Sequence, residues 1–175
     1  MKKLLLALLV VGTLFAQNNV NIQISNDTLG IEAQGQITQN NIFARGFFLY
    51  NDESGRYNFY SLGVKAEGHL IGVDAQNIKF ALIADFVHTK DNSAIPLGIG
   101  AFGYIPNIQY PVFVKGEYEF APKILSFDDA DRFSKVDIRV GIQPIENGEL
   151  FLGYRNISFN HNYKSGLYLG LGYNF

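Results

Sequence analysis

The sequence contains no cysteine among its 175 residues. The chain can therefore form no disulfide bond and carry no lipid on a cysteine, so other interactions must hold the fold together. Its charges nearly cancel, with 14 lysines and arginines against 16 aspartates and glutamates, and they form neither a basic stripe nor an acidic tail. This composition argues against nucleic acid as a partner, because nucleic-acid binding needs a patch of positive charge.

A long apolar run occurs at the N-terminus, but it is too short to cross a membrane as a helix. The segment MKKLLLALLVVGTLFAQ has two lysines, an apolar run from Leu4 to Phe15 and the small residue Ala16. A membrane-spanning helix needs about 20 apolar residues. We predict a secretory signal peptide over residues 1–16, cleaved after Ala16, and a single domain over residues 17–175.

Helical periodicity is missing from the rest of the sequence beyond a turn or two. Runs of about ten residues instead alternate between apolar and polar side chains, which is the period of a β-strand. Clusters of Asn, Asp, Gly, Pro and Ser separate these runs. We predict ten strands, with eight as the alternative if neighbouring runs merge. They lie near residues 18–25, 28–37, 41–50, 58–70, 78–88, 95–104, 111–120, 134–143, 149–158 and 166–175.

Within each predicted strand the charged side chains share one phase. Examples are Lys65 with Glu67, Lys79 with Asp85, Lys115 with Glu117 and Glu119, and Lys135 with Asp137 and Arg139. Successive side chains of a strand point to opposite faces, so each strand has one face with charge and one face without.

This alternation fits a soluble barrel or sandwich with the apolar face inside, or a membrane barrel with the apolar face outside. The length of the runs favours the membrane barrel, because about ten tilted residues span an apolar band of about 25 Å. Soluble strands are usually about half as long. Aromatic residues near the ends of the apolar phase predict an interfacial girdle, although the chain has no tryptophan. These residues are Tyr50, Tyr60, Phe86, Phe120, Tyr173 and Phe175.

The charged phase contains six cations and six anions when Lys135 and Glu149 are set aside as rim positions. A narrow interior requires such a balance, because an unpaired buried charge costs several kcal/mol. The predicted lumenal charge network consists of Arg45, Lys65, Glu67, Asp85, Lys115, Glu117, Glu119, Asp137, Arg139 and Arg155, and Glu32 and Lys79 complete the count. We expect Lys115, Glu117, Asp137, Arg139 and Arg155 to plug or gate a narrow path, or only to stabilise the barrel.

The sequence ends GLYLGLGYNF, with Leu167, Leu169, Leu171, Tyr173 and Phe175 in one phase. A terminal aromatic residue preceded by apolar residues at every second position is similar to the C-terminal signature of bacterial outer-membrane β-barrels. We therefore predict that the barrel-assembly machinery recognises this segment, and that the last strand closes the barrel against the first. An even number of strands puts both termini in the periplasm, and the longest connection, 121–133, then lies on the outer side.

At this point the chain resembles the YfaZ-like family, small β-barrels of the outer membranes of Gram-negative bacteria. The stretches that carry the resemblance are YSLGVKAEG, FVKGEYEFAP, VDIRVGIQP, LFLGYRNISF and GLYLGLGYNF, in this order along nearly the whole mature chain. The resemblance implies an all-β fold, a transmembrane antiparallel up-and-down barrel, and a location among outer-membrane lipids that include lipopolysaccharide. It offers no catalytic or ligand-binding residues, and it leaves the oligomeric state open.

The function we expect is that of an integral outer-membrane barrel with a structural or narrow-channel role, without catalysis, cofactor or metal. Ten strands enclose far less space than the roughly 16 to 18 that leave an aqueous channel. Two alternatives remain: a hydrolase or protease active at the rim, and a surface-binding module that uses the 121–133 loop. For the enzyme, an acid and a histidine at the rim would activate a water. The candidates are His88, His161, Asp128, Asp129 and Asp131.

Overall fold

The structure is a computed structural model that describes residues 18–38, 40–52, 57–69, 77–106 and 111–175. The predicted signal peptide lies outside the described residues. In the part of the chain that is described, no helix is long and apolar enough to cross a membrane.

The described residues form twelve strands. Their bounds are β1 (Asn18–Ile24), β2 (Thr28–Thr38), β3 (Ile42–Asn51), β4 (Phe59–Gly68), β5 (Ile78–Thr89), β6 (Asn92–Ala94), β7 (Leu97–Ile105), β8 (Val112–Ala121), β9 (Ser126–Asp128), β10 (Phe133–Ile145), β11 (Gly148–Phe159) and β12 (His161–Asn174). A short 3-10 helix, Lys123–Leu125, lies between β8 and β9.

Ten of these strands close an antiparallel barrel. Each pairs with its neighbour along the chain, apart from the short β6 and β9, and the ring closes where β1 pairs with β12. At this closure Val20 lies opposite Tyr173 and Ile22 opposite Leu171. The prediction of ten strands closed by the C-terminal strand is confirmed, and no edge of the ring is left for lipid to meet.

The two remaining strands, β6 and β9, extend the sheet beyond the outer end of β5. β6 pairs with β5 on one side and with β9 on the other. The sequence analysis did not predict them, because three residues are too few to show an alternating pattern. Half of the predicted 121–133 loop is thus ordered as a 3-10 helix and a strand.

The polarity of the barrel is inverted relative to a soluble protein. On the outer face Leu62 is 70% exposed and Leu82 is 69% exposed. On the inner face Lys65 is 4% exposed, and Glu119 and Asp137 are almost completely buried. The apolar face therefore meets hydrocarbon and the charged face lines the lumen, as the sequence predicts.

Aromatic side chains stand on the outer face near the strand ends. All six residues of the predicted girdle are exposed: Tyr50, Tyr60, Phe86, Phe120, Tyr173 and Phe175. Rings of this kind sit at the level of the lipid headgroups, so they mark the two borders of the apolar band.

Glycines on the inner face give long side chains room to fold across the lumen. A Cβ on Gly63 would overlap the Asp85 side chain and the Ala84 carbonyl oxygen. At Gly98 it would lie 2.7 Å from the Glu119 Cγ. The charged side chains thus occupy the space that these glycines leave free.

We predict that Gly63→Ala destabilises the barrel by about 1–3 kcal/mol, since the added methyl group meets backbone that cannot move aside. The measurement is the free energy of unfolding in urea from lipid vesicles. Gly116→Ala is the matched control, because nothing lies within 4 Å of a Cβ at Gly116. An equal effect of the two changes would contradict this account.

Candidate functional site in the barrel lumen

The lumen has three layers between the outer and the periplasmic end. An apolar layer fills the end that the sequence analysis places outside the cell, which we call the outer end, and a layer of ion pairs crosses the middle. A hollow layer opens at the opposite end, where β1 begins and β12 ends, which the sequence analysis places in the periplasm. All three layers are built from the inward phase of the strands. The character of that phase changes along each strand.

We call the apolar layer the outer cluster. It consists of Phe47, Leu49, Phe59, Val87, Ala94, Ala121, Ala130, Phe133, Ile157 and Phe159, with Leu125 and Tyr163 packed against it. At its centre the rings of Phe59 and Phe133 stack with their centroids 6.1 Å apart, and Phe159 lies 4.8 Å from Phe133. These contacts close the outer end of the lumen with hydrocarbon.

The outer cluster was missed in the sequence analysis, although a signal for it was present. In the inward phase Phe47 and Leu49 follow Arg45 toward the outer end, and Phe59 precedes Lys65 from that end. The change from charge to apolar residues therefore occurs at the same height on several strands. Charge alone does not reveal this change along the strand, because it separates the two faces but not the two ends of a strand.

Arg45 is the centre of the charged layer. Its Nη1 donates to Glu117 Oε2 at 3.1 Å and its Nη2 donates to Glu119 Oε1 at 3.2 Å. Its Nε lies 3.4 Å from Asp85 Oδ2. Ser61 donates a further hydrogen bond of 2.7 Å to Asp85. One guanidinium thus joins carboxylates from β5 and β8 to β3.

A second group of ion pairs forms around Arg139. Its Nη2 lies 2.6 Å from Glu32 Oε2, and its Nε donates to Asp137 Oδ1 at 2.6 Å. Lys115 connects this group to the first, because its Nζ lies 3.6 Å from Glu32 and 3.1 Å from Glu117. Four of the five residues expected to form a paired network therefore belong to one connected set of ion pairs.

Arg155, the fifth, is held differently. Its Nη1 donates to Gln23 Oε1 at 2.5 Å, and its guanidinium lies over the rings of Phe47 and Tyr168 at 4.9 and 4.6 Å. Tyr168 in turn donates to Asp137 at 2.9 Å. Gln23 and Tyr168 carry no charge, so the charge pattern of the sequence does not indicate them as site residues.

The assignment of Lys135 to the rim is wrong. Lys135 is 4% exposed, and its Nζ donates to Glu119 Oε1 at 2.9 Å. The same carboxylate oxygen accepts from Arg45, so Lys135 belongs to the charged layer. At the other end of the layer Lys65 pairs with Glu67 at 2.7 Å.

The hollow layer, which we call the vestibule, has a volume of about 490 Å³. Its walls carry amides, cations, carboxylates and aromatic rings. The side chains lining it are Asn19, Asn21, Gln34, Lys65, Glu67, Asn77, Lys79, Phe102, Tyr104, Phe113, Lys115, Arg139, Glu149, Phe151 and Asn174. It begins at the periplasmic strand ends and reaches the charged layer at Lys115 and Arg139.

The rim residues considered for catalysis are only partly brought together. His88 Nδ1 lies 2.9 Å from Ser93 Oγ, and Ser93 donates to Asp128 Oδ2 at 2.7 Å. The serine proton is directed at the carboxylate, so the His88 Nδ1–H donates to the serine. Asp129 and Asp131 are exposed and do not join this group, and the side chain of His161 lies outside the described residues.

The 121–133 segment packs onto the outer end of the barrel. Ala130 is buried in the outer cluster, and the Asn160 side chain accepts from the backbone N–H groups of Asp131 and Arg132 at 2.6 and 3.1 Å. In the turn between β1 and β2, the hydrogen bond from Lys164 holds the pKa of the Asp27 carboxyl below its ordinary value.

The predicted assembly residues share the outer face of β12. The side chains of Leu167, Leu169, Leu171, Tyr173 and Phe175 are all exposed there. Their strand pairs with β1 on one side and β11 on the other.

The whole chain, residues 1–175, matches the protein-family model described as YfaZ precursor. The chain belongs to the YfaZ family. Together with the inverted polarity of its ten strands, this membership identifies an outer-membrane β-barrel.

Among solved structures, this YfaZ-family barrel is similar to one described as KdgM porin. The TM-score is 0.49 and the identity 6%, with 91% of this chain and 99% of that chain covered. A structure from a study of the in-meso crystallization of membrane proteins has a TM-score of 0.44 and 13% identity, covering 91% of this chain and 82% of that one. No curated protein matches the sequence.

For this YfaZ-family barrel we predict that Arg45→Met lowers the free energy of unfolding by about 3–5 kcal/mol, because three buried carboxylates lose their shared cation. Urea unfolding in vesicles measures the loss. Adding Asp85→Asn should restore part of it, because Asp85 is the one of the three carboxylates with no second cation among the described residues, whereas Glu117 keeps Lys115 and Glu119 keeps Lys135.

Lys123→Met is the control for lost positive charge, because the Lys123–Asp131 pair is exposed. We expect it to leave the free energy of unfolding nearly unchanged, since solvent screens exposed pairs. Equal effects of Arg45→Met and Lys123→Met would show that the charged layer contributes no special stability.

Proposed function

We propose that this YfaZ-family barrel is a narrow conduit that opens to the periplasm and is closed at its outer end. The observation that carries this proposal is the unequal filling of the lumen. The vestibule leads inward to Lys115 and Arg139, whereas the outer cluster occupies the space beyond the charged layer.

Two barriers oppose the passage of a solute beyond the vestibule. In the charged layer every cation that a solute meets already interacts with a neighbouring group, and separating buried partners costs several kcal/mol. In the outer cluster a polar solute would lose its water without gaining hydrogen bonds. Apolar constrictions close other channels by excluding water in the same way.

The vestibule favours a conduit over a purely structural barrel. A barrel whose interior serves only stability gains most from close packing throughout, because unfilled space forfeits contacts. Here the periplasmic end instead keeps charged and amide side chains around open space. The structural role is the second candidate, and it is supported by the extent of the ion-pair layer.

The proposal includes an outer-membrane location reached through a cleaved signal peptide, in contact with lipopolysaccharide. We also propose that the outward phase of β12, Leu167 to Phe175, serves as the signal for the barrel-assembly machinery. It includes no catalysis. Ser93 is not placed as a nucleophile for His88, because its hydroxyl donates to Asp128 rather than to the histidine that would have to act as its base.

We expect the purified protein to show almost no conductance in planar lipid bilayers. Phe59→Ala and Phe133→Ala, tested separately, should each raise the time-averaged conductance about tenfold or more, which needs a barrier lowered by about 1.4 kcal/mol. Both changes remove a ring from the centre of the outer cluster. Heat-modifiable migration on a gel verifies that each variant is folded.

Phe86→Ala is the matched control, because it removes the same ring from the lipid-facing side. Its conductance should be as low as that of the unmodified protein. If the folded Phe59→Ala and Phe133→Ala variants show no increase in conductance, the conduit is contradicted and the structural role remains. A large, permanently open conductance of the unmodified protein would show that the outer cluster does not close it.

A further inference from the structure

The wall of the vestibule contains a chain of three amides with a fixed direction. Asn174 Nδ2 donates to Glu149 Oε1 at 2.9 Å, Asn19 Nδ2 donates to Asn174 Oδ1 at 2.7 Å, and Asn21 Nδ2 donates to Asn19 Oδ1 at 2.7 Å. An ionised carboxylate only accepts hydrogen bonds, so Glu149 determines the orientation of every amide in the chain.

This direction leaves one acceptor without a donor. Asn21 is 4% exposed and lines the vestibule, and its Oδ1 has no hydrogen-bond partner within the described part of the chain. A buried acceptor without a partner costs free energy. A bound molecule with a hydroxyl or N–H group would supply the missing donor.

The vestibule also contains a cation that is left without a counter-charge. Lys79 lines it and forms no ion pair with the described residues, whereas Lys65 is paired with Glu67. Glu149, the other carboxylate of the wall, accepts from Asn174. A carboxylate or phosphate on a bound molecule would therefore meet Lys79 free to bind it.

Aromatic rings form the third element of the wall. Phe113 and Phe151 are buried with their ring centroids 6.4 Å apart, and Phe102 packs against Phe113 at 5.9 Å. Rings of this kind pack well against the apolar face of a small cyclic molecule. The volume of about 490 Å³ lies within the range of small-molecule sites.

We propose that the vestibule binds a small sugar acid, a ring that bears hydroxyl groups and one carboxylate. The carboxylate pairs with Lys79, a hydroxyl donates to Asn21 Oδ1, and the ring packs against the aromatic wall. This inference rests on the proposed function in one respect: the ligand enters from the periplasm, where the vestibule opens.

The test measures the binding of glucuronate to the full barrel, folded in detergent micelles, by ligand-observed NMR. Glucose is the matched probe, because it shares the ring and most hydroxyl groups but lacks the carboxylate. We expect glucose to bind about tenfold more weakly or worse, since a hydrogen bond to a charged group is lost. Equal binding of the two sugars would overturn the role of Lys79.

Two variants locate the site. Lys79→Gln should weaken glucuronate binding about tenfold and leave glucose unaffected, and Asn21→Leu should weaken both sugars. Lys123→Gln is the control, because it removes the same charge at the outer end and should change neither. Equal loss with Lys79→Gln and Lys123→Gln would overturn the proposed site.

Inorganic phosphate tests whether charge alone is recognised. Phosphate that binds as tightly as glucuronate would overturn the part of the proposal that concerns the sugar ring. Binding in micelles does not depend on conductance, so the two proposals fail separately. Glucuronate binding to a barrel whose outer-cluster variants never conduct would support the ligand site and reject the conduit.

Discussion

The structure depends on charge enclosed by a narrow ring of strands that is itself surrounded by hydrocarbon. In the charged layer Arg45, Lys115, Lys135 and Arg139 each find a counter-charge on another strand, since neither lipid nor bulk water is within reach at that depth. Arg45 satisfies this requirement with three carboxylates, and Lys115 connects its group to that of Arg139. The closed ring determines which strands face one another across the lumen, and the charges on those strands match.

The same constraint explains why the lumen changes character along its axis. The ion pairs lie in the middle, where the chain offers compatible charges on several strands. Toward the outer end the inward side chains are aromatic and aliphatic, so they pack without needing partners. Toward the periplasm they are amides, lysines and glutamates around open space, and water or a ligand can satisfy them. The inward-facing side chains of the same strands thus close the outer end, form ion pairs across the middle and line the vestibule at the other end.

The fold was predictable because strand periodicity is a local property. The phase of Leu62 and Lys65 alone predicts which of them meets lipid. The strand bounds agree with the alternating runs to within about two residues, except that β12 begins at His161 instead of near residue 166. The partners were not predictable, because Arg45 and Glu117 lie 72 residues apart and their pairing depends on barrel closure. Lys135 shows this limit of local sequence patterns most clearly. Its position near a strand end indicated the rim, whereas its ion-pair partner Glu119 comes from β8.

The pairs between Arg45 and Glu117 and between Lys115 and Glu32 join strands that are not neighbours in the ring. Each ion pair links opposite sides of the barrel across the lumen. A cylinder braced in this way resists becoming oval when the surrounding lipids press on it unevenly. The cross-section of this barrel is therefore set from within, and it should keep its shape in bilayers of different thickness and lateral tension.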